Sequence, residues 1–418
     1  MQTRITRRDV LKGAAAGASA TALAGMLPRR SFAAQDQPVT LTWWDYYQDD
    51  GANSVATINQ HQRYMETHPN VTFERTYVPF ADLKTKLLQG AAAGQLPDIA
   101  VIDNPDHQAF ASLGILEDLT ERVTAWGEAG SYFKGPWDST IWQGRNYGIP
   151  DNSNCLVLWY LTDVASTAGV APPTNWTELE AAAAALTSGD RFGLAVSGIK
   201  SEEGTFQWLP FLWETGEDIP TIDSEGGRRA LQLWVDLVNA GSMSQGILGW
   251  NQGDVKNQFV NGSAAMMING PWQIPVIAQE APDLKWDVVT LPVDKQGASI
   301  LGGENYSIIK KGGANIDVAW DFLIWTQQPD NLRTYLLEAG KLPSRQDLSD
   351  DPAWTGDPVL KVFIDQLEVA KPRAYGDKYP EISNAIQEAI QAAVSGQADA
   401  ATALERASQT IQPLLPQG

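Results

Sequence analysis

The chain has 418 residues, 16 Trp, one Cys, three His and a formal net charge of −20. With the six basic and one acidic residues of positions 1–33 set aside, the remainder carries −25; such a surface repels nucleic acid and anionic membranes, so neither is expected as a partner. A lone Cys forms no internal disulfide, and the three His have no ligand spacing, so neither a metal nor a cofactor is expected.

Residues 1–33 read as a leader. TRRDVLKG (6–13) resembles a twin-arginine export signal, with Arg7-Arg8 ahead of Val10-Leu11-Lys12 and a mildly apolar Ala/Gly run from Gly13 to Leu27. Ser31 and Ala33 fit the small-residue pattern of a cleavage site, so the mature chain is expected to begin at Ala34, outside the cytoplasm. No Cys stands at the end of the leader, so no lipid anchor is expected, and no later apolar run reaches about 18 residues, the length of a membrane span.

VTLTWW (39–44) alternates as a first strand; Asn53 to His68 has Val55, Ile58 and Met65 on one helical face; VTFERTYV (71–78) alternates again. LKTKLLQGAAAG closes on Gly94 as a helix, and DIAVID (98–103) is a buried parallel-type strand. His61 and His107 fall on polar helix faces, and His68 lies in a turn before Pro69. Asn175 and Glu178 have the spacing of a capping box at the head of an Ala-rich helix, and 228–239 and 382–394 are amphipathic helices. Alternating strands and helices over more residues than one core holds predict two doubly wound α/β lobes. The absence of flexible tethers places the crossings at Tyr147–Asn152, Trp286–Pro292 and Gly340–Arg345.

Residues 255–275 read as a helix end, an Asn261-Gly262 turn, a short buried strand, and a Gly270-Pro271 stop that delivers Trp272 with no local apolar partner. The pattern F-x-x-G-x-A-A-M-x-x-x-G-P-W in this stretch resembles the signature of extracellular solute-binding protein family 1, the maltose-binding-like components of ABC sugar importers. Three further stretches resemble the same family in the same order: 91–119, with its G-x-x-P-D-[IV] strand; 147–182, with Y-G-I-P and P-x-T-W-x-E-L; and 302–345, with an A-W-x-F-L helix and a G-x-L-P-x-R exit. Leu161-Thr162 stand where the family has Asn-Lys, and Asn175 where it has Thr. The resemblance implies a type II periplasmic binding protein fold with a ligand cleft at a hinge between discontinuous lobes: 34–147 and 289–342 in the first, 148–288 and 343–418 in the second. It also implies a carbohydrate-like ligand, a partnership with the permease subunits of an ABC importer, and a monomer.

Ligands in open α/β sheets bind beyond the C-terminal strand ends. That rule selects Trp43, Trp44 and Asp45, of which alternation sends one Trp to the core, and Asp103 after the third strand. It also selects Asn152 after a hinge-like strand, and Gly303, Glu304 and Asn305 in LGGEN, where glycine permits close backbone approach. Trp213, Trp250 and Trp272 offer planes for sugar faces, and Arg373 stands in a Pro-bounded loop. The first reading is a protein that captures a sugar-like solute by lobe closure. A second is a carbohydrate hydrolase using two of Asp45, Asp103 and Glu304; a third is a binder of a glycerophosphodiester or a polyamine. No strained nucleophile motif is present, so no enzyme is expected, and the sequence does not name the solute.

Overall fold

The structure, a computed structural model, describes residues 37–49, 51–310 and 315–416. The expected leader lies outside these residues. The first sheet runs, edge to edge, Val71–Tyr77, Val39–Asp45, Ile99–Asp103, Glu304–Ile308, Ile149–Pro150. Its first three strands are parallel, each led back by a helix, Ala52–Thr67 or Phe80–Ala93, while Glu304–Ile308 enters antiparallel from far along the chain. The second sheet runs Trp286–Val289, Val157–Leu161, Ala264–Asn269, Phe192–Ala195, with only the last pair parallel.

Both sheets are covered on both faces, and strand alternation sorts the side chains. Ile99 and Val101 join Trp43 and Phe322 in one core, while Ala100 and Ile102 join Leu83, Leu87 and Phe110 in the other. In the second lobe, Val157 and Trp159 pack with Phe259 and Trp354, while Leu156 and Leu158 pack with Trp208, Trp213 and the helix Tyr379–Val394. Every apolar position expected on that helix, Ile382 through Val394, is buried.

Three elements differ from the sequence reading. Asn175 caps its helix by accepting from the Glu178 amide, but the Glu178 carboxylate turns to the Thr174 amide at 2.8 Å and hydroxyl at 2.7 Å. The capping spacing therefore ties two residues at the helix head rather than closing a box on one. In Ala52–Thr67 the apolar face points outward: Val55 and Ile58 are exposed, while Ser54, Thr57, Gln60, His61 and Tyr64 are buried. These polar side chains meet aromatic groups and the next strand; His61 stacks on Phe73 at 4.0 Å, and Gln60 accepts from the Tyr306 hydroxyl at 3.2 Å. His107 is buried as well, so neither it nor His61 belongs to a polar face.

The third difference concerns the return to the first lobe. Trp286–Val289 is not a crossing but the edge strand of the second sheet, and Ser299–Leu301 pairs with Ala370–Pro372 while Leu291, Ala298 and Ile300 enter the second-lobe core. We place the return at Gly302-Gly303. Here Asn154 bridges to Gly302, and Ser153 to Leu342 in the third crossing, so all three crossings lie side by side. Gly303 has φ 140°, and a Cβ there would sit 2.3 Å from the Asn152 carbonyl oxygen. The glycine serves the crowding of crossings against each other.

Candidate functional site

A cavity of about 540 Å³ lies where the two lobes and the three crossings meet. The first strand turns Trp43 and Asp45 to one side and ends in Tyr46-Tyr47, which reach the cavity. Across it, the strand Ala264–Asn269 ends at Gly270-Pro271 and presents Trp272, half-buried, as a wall. The Trp272 ring folds back flat over Gly270: a Cβ there would fall 1.9 Å from its Cζ3. Glycine is therefore what allows the indole to take this pose. Phe206, on the helix Glu202–Glu214, tilts toward it with ring centroids 6.3 Å apart.

The floor is a buried polar network built from the crossings. The Glu304 carboxylate accepts from the Tyr46 hydroxyl at 2.9 Å, from the Lys341 ammonium at 3.2 Å, and from the Asn152 amide. Lys341 also donates to Tyr335 at 3.4 Å and to the Tyr47 hydroxyl, and lies 4.2 Å above the Tyr47 ring. Burial works against the Lys341 charge, but Glu304 and Asp151 hold the ammonium above its usual range. Burial pushes Asp151 up to about 6 against the pull of Lys341. Burial raises the Tyr46 hydroxyl, and Glu304 raises it further, which keeps it a donor. On the walls, burial pushes Asp103 up to about 7 although Arg373 opposes it, and pushes Glu203 up to about 7 against the Gln252 amide.

Of the residues selected from sequence, Asp103, Trp272, Gly303, Glu304 and Arg373 line this cavity, contributed by both lobes. Seven others do not. Trp43 is core, edge-on to His61 and Tyr306 at 4.9 Å each. Trp44 faces the opposite core under the Lys86 ammonium, 4.5 Å from its ring. Asp45 is 0% exposed and fully engaged, accepting from Trp43 Nε1 at 2.7 Å, Arg75 Nε and Nη2 at 2.7 Å each, and the Tyr47 amide at 2.9 Å. Asn152 sits behind Glu304 and orients it rather than facing the cavity. Asn305 points to the other side of its strand, where its amide donates to Ser139 at 3.0 Å. Trp213 is buried and donates to Asp218 at 2.8 Å. Trp250 packs over Gly246, with a Cβ there only 2.8 Å from the indole.

The cavity also takes in residues the sequence reading passed over: Phe80, Asn154, Glu203, Phe206, Gln252 and Lys341. Tyr46-Tyr47, the last aromatics of the run that ends the first strand, line it as the strand-end rule expects. Lys341 carried no signal, because a lysine in a Gly-Lys-Leu-Pro turn reads as surface. The Asn154 Oδ1 and Arg373 Nε atoms are buried without a partner. Among the described residues no group of three or more His, Cys, Asp or Glu is placed to hold a metal, and no helix is long and apolar enough to cross a membrane.

The chain matches the family model for bacterial extracellular solute-binding proteins over residues 59–362. It is 26% identical to a lactose-binding protein of Rhizobium radiobacter, over 94% of this chain and 95% of that one. It is 24% identical to a maltotriose-binding protein of Pyrococcus abyssi, over 79% and 72%. Among solved structures, a Thermotoga lettingae ABC transporter solute-binding protein bound with alpha-D-tagatose superposes with a TM-score of 0.84 at 26% identity, covering 90% of this chain and all of that one. The cyclic alpha-maltosyl-1,6-maltose-binding protein of Arthrobacter globiformis gives 0.72 at 28% identity, covering 91% and 100%. With two α/β lobes, three adjacent crossings and an aromatic-walled cavity between the lobes, the chain belongs to the bacterial extracellular solute-binding proteins.

Proposed function

We propose that the protein captures a sugar or sugar-like solute by closing its lobes and hands it to the membrane subunits of an ABC importer. One observation carries the reading: aromatic planes on both lobes, Tyr46 and Phe80 against Phe206 and Trp272, face the same cavity as the Glu304–Lys341 network. Sugar rings present apolar C–H faces and paired hydroxyls, and these surfaces complement them. A solute touching both lobes favours the closed form, which is the state an importer reads. The sugars named for the relatives support this class of solute and leave its identity open.

The hydrolase reading loses Asp45, which is consumed by Arg75 and Trp43. An anionic solute such as a glycerophosphodiester is disfavoured, because Lys256, Lys341 and Arg373 are each paired with a carboxylate. The twin-arginine route, an unanchored mature form and a monomeric state belong to the same proposal. The test is a thermal-shift screen of residues 34–418 against sugars, sugar acids and polyols. A saturating solute at ~100 Kd adds about 2.7 kcal/mol of stability. The solute recovered afterwards is expected intact; turnover, or a shift produced by phosphodiesters but by no sugar, would overturn the reading.

A further inference from the structure

Three carboxamides line the cavity, each with a buried atom that has no hydrogen-bond partner: Asn53 Oδ1, Asn154 Oδ1 and Gln252 Nε2. They come from different parts of the molecule. Asn53 lies in the first turn of Ala52–Thr67, Asn154 on the first crossing, and Gln252 at the head of the second-lobe helix Gln252–Val260. Asn154 is the most enclosed, at 5% exposure. Its backbone is engaged, donating to the Gly302 carbonyl at 3.1 Å and accepting from the Gly302 amide at 2.9 Å. Its side chain makes no hydrogen bond among the described residues. Gly302 leaves room for it: a Cβ there would fall 2.0 Å from Asn154 Oδ1 and 2.9 Å from Phe206 Cε2. The amide is thus fixed beside the Phe206 ring, itself a wall of the cavity.

The charged groups of the cavity are already engaged. Lys256 is paired with Glu280, Lys341 with Glu304, and Arg373 with both Asp103 and Glu202. Asp49 holds Arg75 at 2.7 Å. Glu203 has no cation, but it accepts from the Gln252 backbone amide at 2.7 Å, and burial pushes it up to about 7, which reduces its charge. Buried polar atoms without partners destabilise a fold, and three around one cavity call for a ligand that supplies the missing bonds. The terminal torsion of a carboxamide is soft, so either end can turn to the cavity. Hydroxyls both donate and accept, so a neutral polyhydroxylated solute serves such amides fully. An ion would bring a charge that no cation and no fully ionised carboxylate here is free to meet.

We propose that Asn154, with Gln252 and Asn53 around it, is the specificity-determining contact of the cavity, and that the solute it selects is uncharged. The inference deepens the solute-capture reading and rests on it: neutral amides read the sugar, while the carboxylates and cations build the frame that holds them. The test compares the unmodified protein with Asn154→Leu and Gln252→Met, which keep the branched or extended shape of the side chain and remove the amide. Asn154→Ala gives the same reading should leucine crowd Gly302. The probe is a panel of hexoses and their short oligomers, each beside its 2-amino and its uronic acid counterpart, at pH 7. Affinity is read by titration calorimetry, and the fold by the melting temperature without solute. A neutral member should bind in preference to its charged counterparts. Asn154→Leu should weaken that binding at least tenfold, and Gln252→Met should weaken it too. Neither should lower the solute-free melting temperature, because the amides they remove have no partner in the protein. Preference for an amino or acid counterpart, unchanged affinity in the Asn154 variants, or a melting temperature that falls in both of them would overturn this proposal and leave solute capture standing. Binding by no member of the panel would overturn both.

Discussion

Trp43 and Trp272 show how one residue type divides between core and cavity. Trp43 has edge-on aromatic neighbours and a hydrogen bond to Asp45, all inside the first lobe. Trp43→Ala should cost about 3–5 kcal/mol of stability, the range for emptying a large aromatic site, and this is read as a fall in melting temperature. Trp272 has one face on Gly270 and another on the cavity. Trp272→Ala should weaken solute binding by at least ~1 kcal/mol in titration calorimetry with little change in melting temperature. Asp45 belongs with Trp43: Asp45→Asn removes one of the two carboxylates on the Arg75 guanidinium, Asp49 at 2.7 Å remaining, and should destabilise by about 1–3 kcal/mol, more than it changes solute affinity.

At the scale of elements, the strand–stop–helix unit around Gly270 separates structure from contact. Gly270 does not line the cavity, but any side chain there would collide with the Trp272 ring. Gly270→Ala should therefore weaken solute binding about as much as Trp272→Ala does, and a crystal structure of the variant should show the indole rotated away. An unmoved ring with unchanged Kd would show that the strand end has slack. The outward apolar face of Ala52–Thr67 has a matching cause. Its inner face must sit against Phe73, Trp43 and Tyr306, and His61 and Gln60 fill that space with flat or hydrogen-bonded groups. Periodicity located the helix, but the side it turns inward was decided by its neighbours.

For the whole molecule, pH acts through two sets of buried groups with opposite sign. Burial pushes His61 and His107 down to about 3, so the unfolded chain takes up protons below its pKa of about 6.5 that the folded chain refuses. Their contribution to stability is complete above pH ~6.5 and is lost as pH falls toward 3. Asp103 and Glu203, pushed up to about 7, behave in reverse: the folded chain holds protons that the unfolded chain has released above pH ~4. That contribution is complete below pH ~4 and is lost as pH rises through 7. Melting temperatures of the unmodified protein and of Asp103→Asn should converge at pH 4 relative to their separation at pH 7.5, with the unmodified protein losing ground as pH rises. Parallel profiles would mean that Asp103 is ionised throughout.

Some of this molecule was determined by the sequence alone. The strand–helix alternation, the buried run DIAVID and the amphipathic helix before Val394 follow from local periodicity, and the G-P-W stop follows from the stereochemistry of two residues. Those are short-range constraints, so they survive without tertiary context. The remainder depended on contacts between segments far apart in the chain. Alternation required that one of Trp43 and Trp44 be core, but only the sheet order turned the first inward and sent the other to the opposite face, leaving the cavity to Tyr46-Tyr47. Lys341 became a cavity residue because Glu304 and Asp151, brought in by two other crossings, hold its charge in a place where a lone lysine would not remain ionised. Arg373 joined two lobes because Asp103, 270 residues away in sequence, ends its strand opposite it. Burial of a charge is set by partners, and partners are chosen by topology.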